Sequence, residues 1–284
     1  MYVVTGATGQ LGKLVVEGLL AAVPADEIAV VVRSADKAAA WAARGVRVHE
    51  ADYGRPETLA GVFAAGDRVL LISGNQFGSR VAQHRAVIDA AKAAGAGLLA
   101  YTSVLGGPAA TFRIAEEHIA TEAVLRESGL PFALLRNGWY TENYTATAAG
   151  SLERGEVFGS GGDGRVATAP RQDYADAAVA VLTGEGHEGG VYELSGDADW
   201  SMGEYASELS AASGRPVVYR EVEPAEQVER LVAAGLPEAL AEVFVDTDAA
   251  IARGELGLRT GDLARLIGRP TVPLAETVRA ALTA

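Results

Sequence analysis

The sequence contains no cysteine, which excludes disulfide bonds, thiolate metal sites and cysteine nucleophiles. No apolar run approaches the roughly 20 residues that a membrane-spanning helix requires, and the N-terminus lacks the basic flank and cleavage pattern of an export signal. Basic residues are scarce, since 24 Lys and Arg stand against 37 Asp and Glu for a formal net charge of -13. The sequence therefore predicts a cytoplasmic protein with neither a membrane nor a nucleic acid as partner.

The 284 residues are 49% hydrophobic and 21% charged, which is typical of a globular protein. Apolar runs lie at residues 2–4, 28–32, 46–48, 69–72, 98–101 and 132–135, with helical patterns between them at 11–22, 37–44, 56–65, 81–94 and 115–127. All runs but the third are continuous, as in strands buried on both faces of a parallel sheet. This alternation predicts an α/β fold with a doubly wound parallel sheet of the Rossmann type.

The pattern changes after Asn137. Strand-like pieces near residues 166–168 and 191–194 are expected to complete the sheet, and one further run lies at 217–222. The remainder from Trp200 onward has mostly helical patterns, and no linker rich in Gly, Ser or Pro interrupts it. We therefore predict a Rossmann core over residues 1–137 and a smaller, mostly helical lobe over residues 138–284.

The segment TGATGQLG, residues 5–12, follows the first predicted strand and opens the first predicted helix. Its glycines Gly6, Gly9 and Gly12 allow a tight turn, and free amides at a helix start bind phosphate. The spacing differs from the Gly-x-Gly-x-x-Gly fingerprint. The strand–turn–helix context nevertheless favours a dinucleotide site over a tight turn without a ligand.

Arg33 stands at the end of the second predicted strand, which should face the adenosine ribose. An acidic residue there binds a free 2′-hydroxyl, whereas an arginine accommodates the 2′-phosphate of NADP. We therefore predict NADP, the alternative being an ordinary surface arginine. Polar residues also follow the next strands, and we expect those after the fourth to contact the cofactor, whereas Asp52–Tyr53 and Thr102–Ser103 are equally explained as strand ends or helix caps.

With these residues the chain resembles the NmrA-like branch of the atypical short-chain dehydrogenases/reductases, and within it the type-2 class of bacterial NADPH-dependent quinone oxidoreductases. The resemblance spans nearly the whole chain. Its marks are TGATGQLG at 5–12, VVR at 31–33, ADYG at 51–54, LLISG at 70–74, YTS at 101–103, EHIATE at 117–122, LLRNGWYTENY at 134–144 and HEGGVYELSGD at 187–197.

The resemblance implies direct hydride transfer from NADPH to a small quinone-like acceptor, without flavin or metal. We expect residues 1–137 to form the NADP-binding core and residues 138–284 to lie mainly on the substrate side, and we also expect a homodimer. The implied cofactor contacts are Gly6, Ala7, Thr8, Gly9, Gln10, Leu11, Arg33, Ser73, Gly74, Asn75, Gly138, Trp139, Tyr140, Thr141, Glu142 and Asn143.

Carbonyl-reducing members of the wider superfamily use a Tyr-x-x-x-Lys pair as proton donor. The positions four residues before the three lysines hold Gly9, Arg33 and Ile88, so the pair is absent. A quinone asks less of the protein, because the hydroquinone anion has the basicity of a phenol, with a pKa of roughly 10. Water or a modest hydrogen-bond donor can protonate it.

Three residues are candidates for the catalytic role: Asn137, His118 and Tyr140. Each also has a structural explanation, as a polar strand end, a hydrogen-bonded helix histidine and an aromatic packed between the lobes. The four histidines show no ligand spacing, so no metal site is predicted. Two other functions stay open: an NADP-binding redox sensor of the NmrA type, and a reductase of triphenylmethane dyes.

Overall fold

The computed structural model describes residues 1–283 as a mixture of strands and helices in alternation. The strands are β1 (Tyr2–Thr5), β2 (Ile28–Val32), β3 (Arg47–Glu50), β4 (Arg68–Leu71), β5 (Leu98–Val104), β6 (Phe132–Asn137), β7 (Glu156–Gly159), β8 (Arg165–Val166), β9 (Gly190–Leu194), β10 (Trp200–Ser201) and β11 (Val218–Glu221). The α-helices are α1 (Gln10–Ala22), α2 (Ala39–Ala42), α3 (Arg80–Ala94), α4 (Arg113–Ser128), α5 (Glu142–Thr145), α6 (Ala148–Arg154), α7 (Arg171–Thr183), α8 (Met202–Ser213), α9 (Pro224–Ala233), α10 (Glu238–Ala252), α11 (Asp262–Ile267) and α12 (Leu274–Thr283).

Seven of these strands form one parallel sheet in the order β3-β2-β1-β4-β5-β6-β9. The chain first builds outward from β1 to β3 and then returns to place β4 on the other side of β1. The strand order therefore reverses between β1 and β4, and ligands of open α/β sheets bind at such a switch point.

Both faces of the sheet are covered, and for this reason its central strands are largely apolar, whereas the edge strand β3 (RVHE) is polar and partly exposed. Every residue of β2 is buried. On one face Val4 and Val30 pack in a core with α1 and α7, whereas on the other Val3 and Val31 pack in a core with α3. The predicted doubly wound α/β fold is confirmed.

Two predicted elements were wrong. The piece near residues 166–168 does not complete the sheet, because β8 pairs antiparallel with β10 through Val166 and Trp200. The seventh strand is instead β9, which runs parallel to β6 as the 191–194 pattern predicted. The 56–65 pattern forms no α-helix but a 3₁₀ turn over Pro56–Leu59, after which Gly61 adopts a positive φ of 74° that breaks helical geometry.

The predicted second lobe contains α8, α9, α10 and α12 and the parallel pair β7–β11. Its last residue, Ala284, lies outside the described residues. The boundary at residue 137 stays a prediction, since β9 and α7 come from the later part of the chain and pack into the sheet core. No helix within residues 1–283 is long and apolar enough to cross a membrane.

Candidate active site

A cavity of about 400 Å³ lies at the carboxyl ends of β1, β2 and β4. We call it the strand-end cleft. It contains most of the predicted cofactor contacts of the first half of the chain, while Ala7 is fully buried in the core beneath it. The residues that line the cleft are Gly6, Thr8, Gly9, Gln10, Leu11, Gly12, Val31, Val32, Arg33, Ala51, Asp52, Tyr53, Ile72, Ser73, Gly74, Asn75, Gln76, Gln83, Thr102, Tyr140 and Arg171.

The glycine turn between β1 and α1 has the geometry of a phosphate cradle. Gly6 adopts a φ of 63°, and its carbonyl accepts a hydrogen bond from the Gly9 amide at 3.0 Å. A Cβ on Gly12 would lie 2.4 Å from the Gly6 oxygen, so only glycine allows this approach of helix and turn. The first turn of α1 has no side-chain cap and no acidic residue. Its first amides therefore stay available to an anion.

Arg33 is the exposed cation at the rim of this cleft. It lines the cavity at the end of β2 and makes no ion pair or hydrogen bond with any residue of the described chain. Across the cleft, the Tyr53 hydroxyl is buried and has no hydrogen-bond partner within residues 1–283. Burial raises the pKa of Tyr53, so its hydroxyl keeps a proton to donate. A free guanidinium and a free buried donor are groups that a polar, phosphorylated ligand would satisfy.

The turn after β4 is held by three side chains from two other elements, β5 and α3. The Ser73 amide donates to the Thr102 hydroxyl at 2.9 Å, and the Gly74 amide donates to Nε2 of His84 at 3.0 Å. The Gly74 carbonyl accepts from Nε of Arg80 at 2.8 Å. The turn is thus fixed against β5 and α3, which orders the wall of the cleft opposite the glycines.

The cofactor contacts predicted at residues 138–143 do not all lie at one site. Of these residues, only Tyr140 lines the cleft. Trp139 and Asn143 line a second cavity, and the Thr141 hydroxyl is buried against that of Thr168 at 2.8 Å. Gly138 lies against β9, because its amide donates to the Leu194 carbonyl at 2.7 Å. The roles of these residues toward a cofactor stay a prediction.

Arg171 is a functional candidate that the sequence argument missed. It is the first residue of α7, its guanidinium lies 4.8 Å from the centre of the Tyr140 ring, and its Nη2 donates to Asn143 at 3.0 Å. Its amide donates to the Glu142 carboxylate, so Glu142 is engaged with Arg171. The helix dipole disfavours an arginine at a helix N-terminus. This unusual placement is the feature of the sequence that could have marked Arg171 as a functional candidate.

Two of the three catalytic candidates lie together. Nδ2 of Asn137 donates to the Tyr140 hydroxyl at 3.2 Å, and Oδ1 of Asn137 is buried without a partner in the described part of the chain. The Tyr140 hydroxyl accepts this bond, and its own proton has no acceptor within residues 1–283. Burial raises the pKa of Tyr140, which keeps this proton in place at neutral pH.

His118 lies apart, in the core between α4 and β5. Its Nδ1 is 2.8 Å from the Tyr101 hydroxyl, and it lines neither the cleft nor the second cavity. Burial, and then the charge of Arg80, lowers the pKa of His118 well below its usual value. The structural explanation, a neutral histidine bonded to its surroundings, therefore fits its position better than contact with an acceptor.

The second cavity, of about 360 Å³, lies in the later part of the chain and is called here the lobe cavity. Its residues are Trp139, Asn143, Tyr144, Thr147, Gly150, Ser151, Arg154, Val157, Phe158, Met202, Tyr205, Gln227, Leu231, Ala234, Leu236, Phe244, Thr247 and Asp248. Since Trp139 precedes Tyr140, one short segment supplies a wall to both cavities. Within residues 1–283, no three His, Asp or Glu side chains are grouped to hold a metal ion.

Residues 6–185 match the family model described as NAD(P)H-binding, which starts at the first glycine of the cradle. The chain belongs to this NAD(P)H-binding family. It is 46% identical to quinone oxidoreductase 2 of Escherichia coli over 98% of this chain and 97% of that protein. It is also 30% identical to an NmrA-like family domain-containing oxidoreductase of Aspergillus flavus, over 98% and 94%, which confirms the NmrA-like resemblance.

Solved structures of family members match over the full length. The Escherichia coli NADPH-dependent quinone oxidoreductase complexed with NADPH superposes with a TM-score of 0.96 and 45% identity, over 99% of this chain and 100% of that one. The Citrobacter triphenylmethane reductase complexed with NADP(H) gives 0.95 and 39%, over 99% and 100%. Two oxidoreductases that differ in their acceptors are therefore similar to this chain throughout.

Proposed function

We propose that this protein is an NADPH-dependent reductase that transfers hydride directly to a quinone, without flavin or metal. The observation that carries the proposal is the strand-end cleft, in which the glycine cradle and the free guanidinium of Arg33 face one cavity. The full-length similarity to an Escherichia coli quinone oxidoreductase that binds NADPH supports both the cofactor and the acceptor class.

The residues of the cleft fit the dinucleotide in a definite order. The amides at the start of α1 would hold the pyrophosphate, Arg33 the 2′-phosphate, and the Ser73–Asn75 turn the middle of the molecule. The reduced nicotinamide supplies the hydride when it is bound. What the chain adds is position, because bringing an acceptor ring to about 3–3.5 Å from the donor supplies much of the rate enhancement.

Tyr140 is the group that we propose to assist the acceptor. Its hydroxyl proton is free, and Asn137 holds the hydroxyl oxygen at 3.2 Å. A quinone that gains a hydride becomes an anion on oxygen, and a hydrogen bond from Tyr140 would stabilise that charge until a proton arrives from water. No lysine relay is needed for this step.

The direct test is NADPH consumption by the purified protein with 1,4-benzoquinone. We expect turnover clearly above the non-enzymatic rate, no flavin absorbance in the protein, and no loss of rate with a chelator. Deuterium at the transferred position of NADPH should slow turnover if hydride transfer limits the rate. Tight NADPH binding without turnover on any quinone or dye would overturn the proposed enzymatic function and favour the redox-sensor alternative.

The part assigned to Tyr140 is tested by Tyr140→Phe. Losing one hydrogen bond to a developing negative charge should lower kcat about 10- to 100-fold, with NADPH affinity nearly unchanged. Tyr192→Phe is the matched control, because its hydroxyl bonds His187 at the far edge of the sheet and should leave kcat intact. An unchanged kcat in Tyr140→Phe would remove Tyr140 from the mechanism.

The dye-reductase alternative has a specific observation in its favour. The Citrobacter triphenylmethane reductase matches this chain with a TM-score of 0.95. A comparison of kcat/KM for 1,4-benzoquinone and for a triphenylmethane dye decides between the two acceptors, and we expect the quinone to give the higher value.

A further inference from the structure

One end of the strand-end cleft contains two carboxamides that the proposed hydride transfer does not use. Gln76, in the turn after β4, and Gln83, in α3, both line the cleft. Nε2 of Gln83 donates to Oε1 of Gln76 at 2.6 Å. The Ser79 hydroxyl lies 3.5 Å from the same oxygen as a second donor. The two glutamine side chains thus form one bonded unit, which we call the amide pair.

The amide pair leaves one acceptor and one donor unused. Within residues 1–283, Oε1 of Gln83 accepts no hydrogen bond and Nε2 of Gln76 donates none. The bond between the two side chains fixes which end of each carboxamide is the oxygen, because reversing one of them would bring two like groups together. The pair therefore offers an acceptor and a donor in a fixed order.

Gln83 is held in a rigid part of the cleft wall. Its neighbours on α3, Arg80 and His84, bond the carbonyl and the amide of Gly74 at 2.8 Å and 3.0 Å. A Cβ on Gly74 would lie 3.5 Å from Oε1 of Gln83, and a Cβ on Gly54 would lie 3.8 Å from its Nε2. The Gln83 carboxamide therefore lies between the turn after β3 and the turn after β4. A side chain that is already ordered loses little entropy when a ligand binds.

The turn after β3 places the amide pair on the same side of the cleft as Arg33. Since β3 runs parallel to β2, its last residues lie beside the end of β2, where Arg33 is. Asp52 of this turn also lines the cleft, but its Oδ1 already accepts the Gly54 amide at 2.9 Å. The ribose that carries the 2′-phosphate of NADPH also carries the adenine base. With the 2′-phosphate at Arg33, the base comes to lie between these turns, next to the amide pair.

We propose that the amide pair reads the adenine base of the cofactor, with Oε1 of Gln83 accepting from the 6-amino group and Nε2 of Gln76 donating to the adjacent ring nitrogen. Adenine presents a donor beside an acceptor at this position, and carboxamides pair with that pattern. Hypoxanthine has an oxygen in place of the amino group, so it brings two acceptors together at Gln83. The cleft then selects its dinucleotide by the base, which the glycine cradle and Arg33 cannot do because they bind phosphate. This proposal rests on the proposed function only for the place of the 2′-phosphate.

The test compares NADPH with reduced nicotinamide hypoxanthine dinucleotide phosphate, in which an oxygen replaces the 6-amino group. Both are titrated calorimetrically into the full-length protein, and we expect NADPH to bind about tenfold more tightly. Equal affinity of the two cofactors would overturn the proposal without any variant. Quinone turnover does not enter the result, so a protein that binds NADPH but reduces no quinone would still show the preference.

Gln83→Leu removes the acceptor at similar side-chain size. NADPH affinity should fall about tenfold while the affinity for the hypoxanthine cofactor stays constant, which also reports that the variant folds. Gln76→Leu frees the Gln83 carboxamide to reverse and donate to the hypoxanthine oxygen. The preference for NADPH should therefore fall in this variant as well, although Gln83 is retained.

Gln172→Leu is the matched control, because this exposed glutamine of α7 bonds Asp176 outside the cleft and should keep the tenfold preference. A preference that survives in Gln83→Leu would show that another group reads the base. An equal loss of affinity for both cofactors in Gln83→Leu would limit Gln83 to shaping the cleft. Either result would make the assignment of the amide pair wrong.

Discussion

The strand-end cleft and the lobe cavity share the segment around Trp139 and Tyr140, yet they are built in different ways. The cleft consists of turns that follow neighbouring parallel strands, and its main binding groups are backbone amides and one free arginine. The lobe cavity consists of side chains from several helices, from β7 and from the segment after β6, and its main features are aromatic rings and one largely enclosed carboxylate. The cleft therefore suits an anion, whereas the lobe cavity offers mainly an aromatic surface with few polar groups.

The largest effect should come from the backbone of the cleft. In Gly12→Ala the new Cβ would meet the Gly6 oxygen at 2.4 Å and the Ala7 Cα at 2.7 Å, so the cradle must open. We expect NADPH affinity to fall at least about 100-fold and the free energy of unfolding to fall by about 1–3 kcal/mol. Calorimetric titration and urea unfolding measure the two effects.

Gly203→Ala is the matched control for this change. Its Cβ would meet nothing closer than the Ser201 hydroxyl at 3.7 Å, and a helical alanine is slightly more stable than glycine. NADPH binding should be unchanged there. Normal NADPH affinity in Gly12→Ala would contradict the idea that the cleft binds through its backbone.

A smaller and more selective effect is expected at Arg33. Arg33→Ala removes the charge-assisted bonds to a 2′-phosphate, which are worth about 1.5–3 kcal/mol, so NADPH affinity should fall about 10- to 100-fold while NADH affinity stays constant. Arg47→Ala, at an exposed arginine of β3 outside the cleft, is the control. If both cofactors lost affinity equally, the assignment to the 2′-phosphate would be wrong.

The smallest expected effect on cofactor binding comes from the wall of the cleft, where we expect a pH dependence of stability instead. Burial, and then Arg80, lowers the pKa of His84 from 6.5 to about 3, and the pKa of His118 moves in the same direction. These histidines bind protons only after unfolding, so their contribution is complete above pH 6.5 and declines as the pH falls toward 3. Each contributes a slope of up to about 1.4 kcal/mol per pH unit in that window.

Urea unfolding at pH 7, 6 and 5 measures this slope. His84→Gln should lower this slope by up to about 1.4 kcal/mol per pH unit, the contribution of one proton, because glutamine does not titrate. Its amide oxygen can still accept the hydrogen bond from the Gly74 amide. Asp248 in the lobe cavity should change the stability in the opposite direction. Because its pKa is raised in the folded protein, it favours folding at low pH. An identical slope in His84→Gln and the unaltered protein would show that His84 is not buried as a neutral group.

Much of the cleft could be predicted because its parts are local in sequence. Gly6, Gly9 and Gly12 lie within one turn, and Arg33 directly follows a continuous apolar strand. Parallel strands then bring such turns to one edge of the sheet without further information. Arg171 could not be placed in this way, because its approach to Tyr140 depends on how α7 crosses the sheet.

The same limit explains the residues that the structure placed elsewhere. Helical spacing alone did not show that His118 faces Tyr101 in the core, since an amphipathic pattern does not say which neighbour a polar residue meets. A short apolar run such as residues 166–168 does not specify the strand with which it pairs. The sequence therefore predicted that these residues join the main sheet, whereas β8 pairs with β10.

The sequence by itself determined the parallel sheet, the glycine cradle and the arginine at its rim, because continuous apolar strands and local turns need only short-range order. Only the tertiary structure decided which side of the 138–143 segment each residue faces, which acids are enclosed and which have partners. Asp248 is an ordinary residue of a helical pattern until packing encloses it in the cavity that Tyr144, Phe158 and Phe244 also line. Its chemistry depends on solvent exclusion, and solvent exclusion arises only when distant segments pack together.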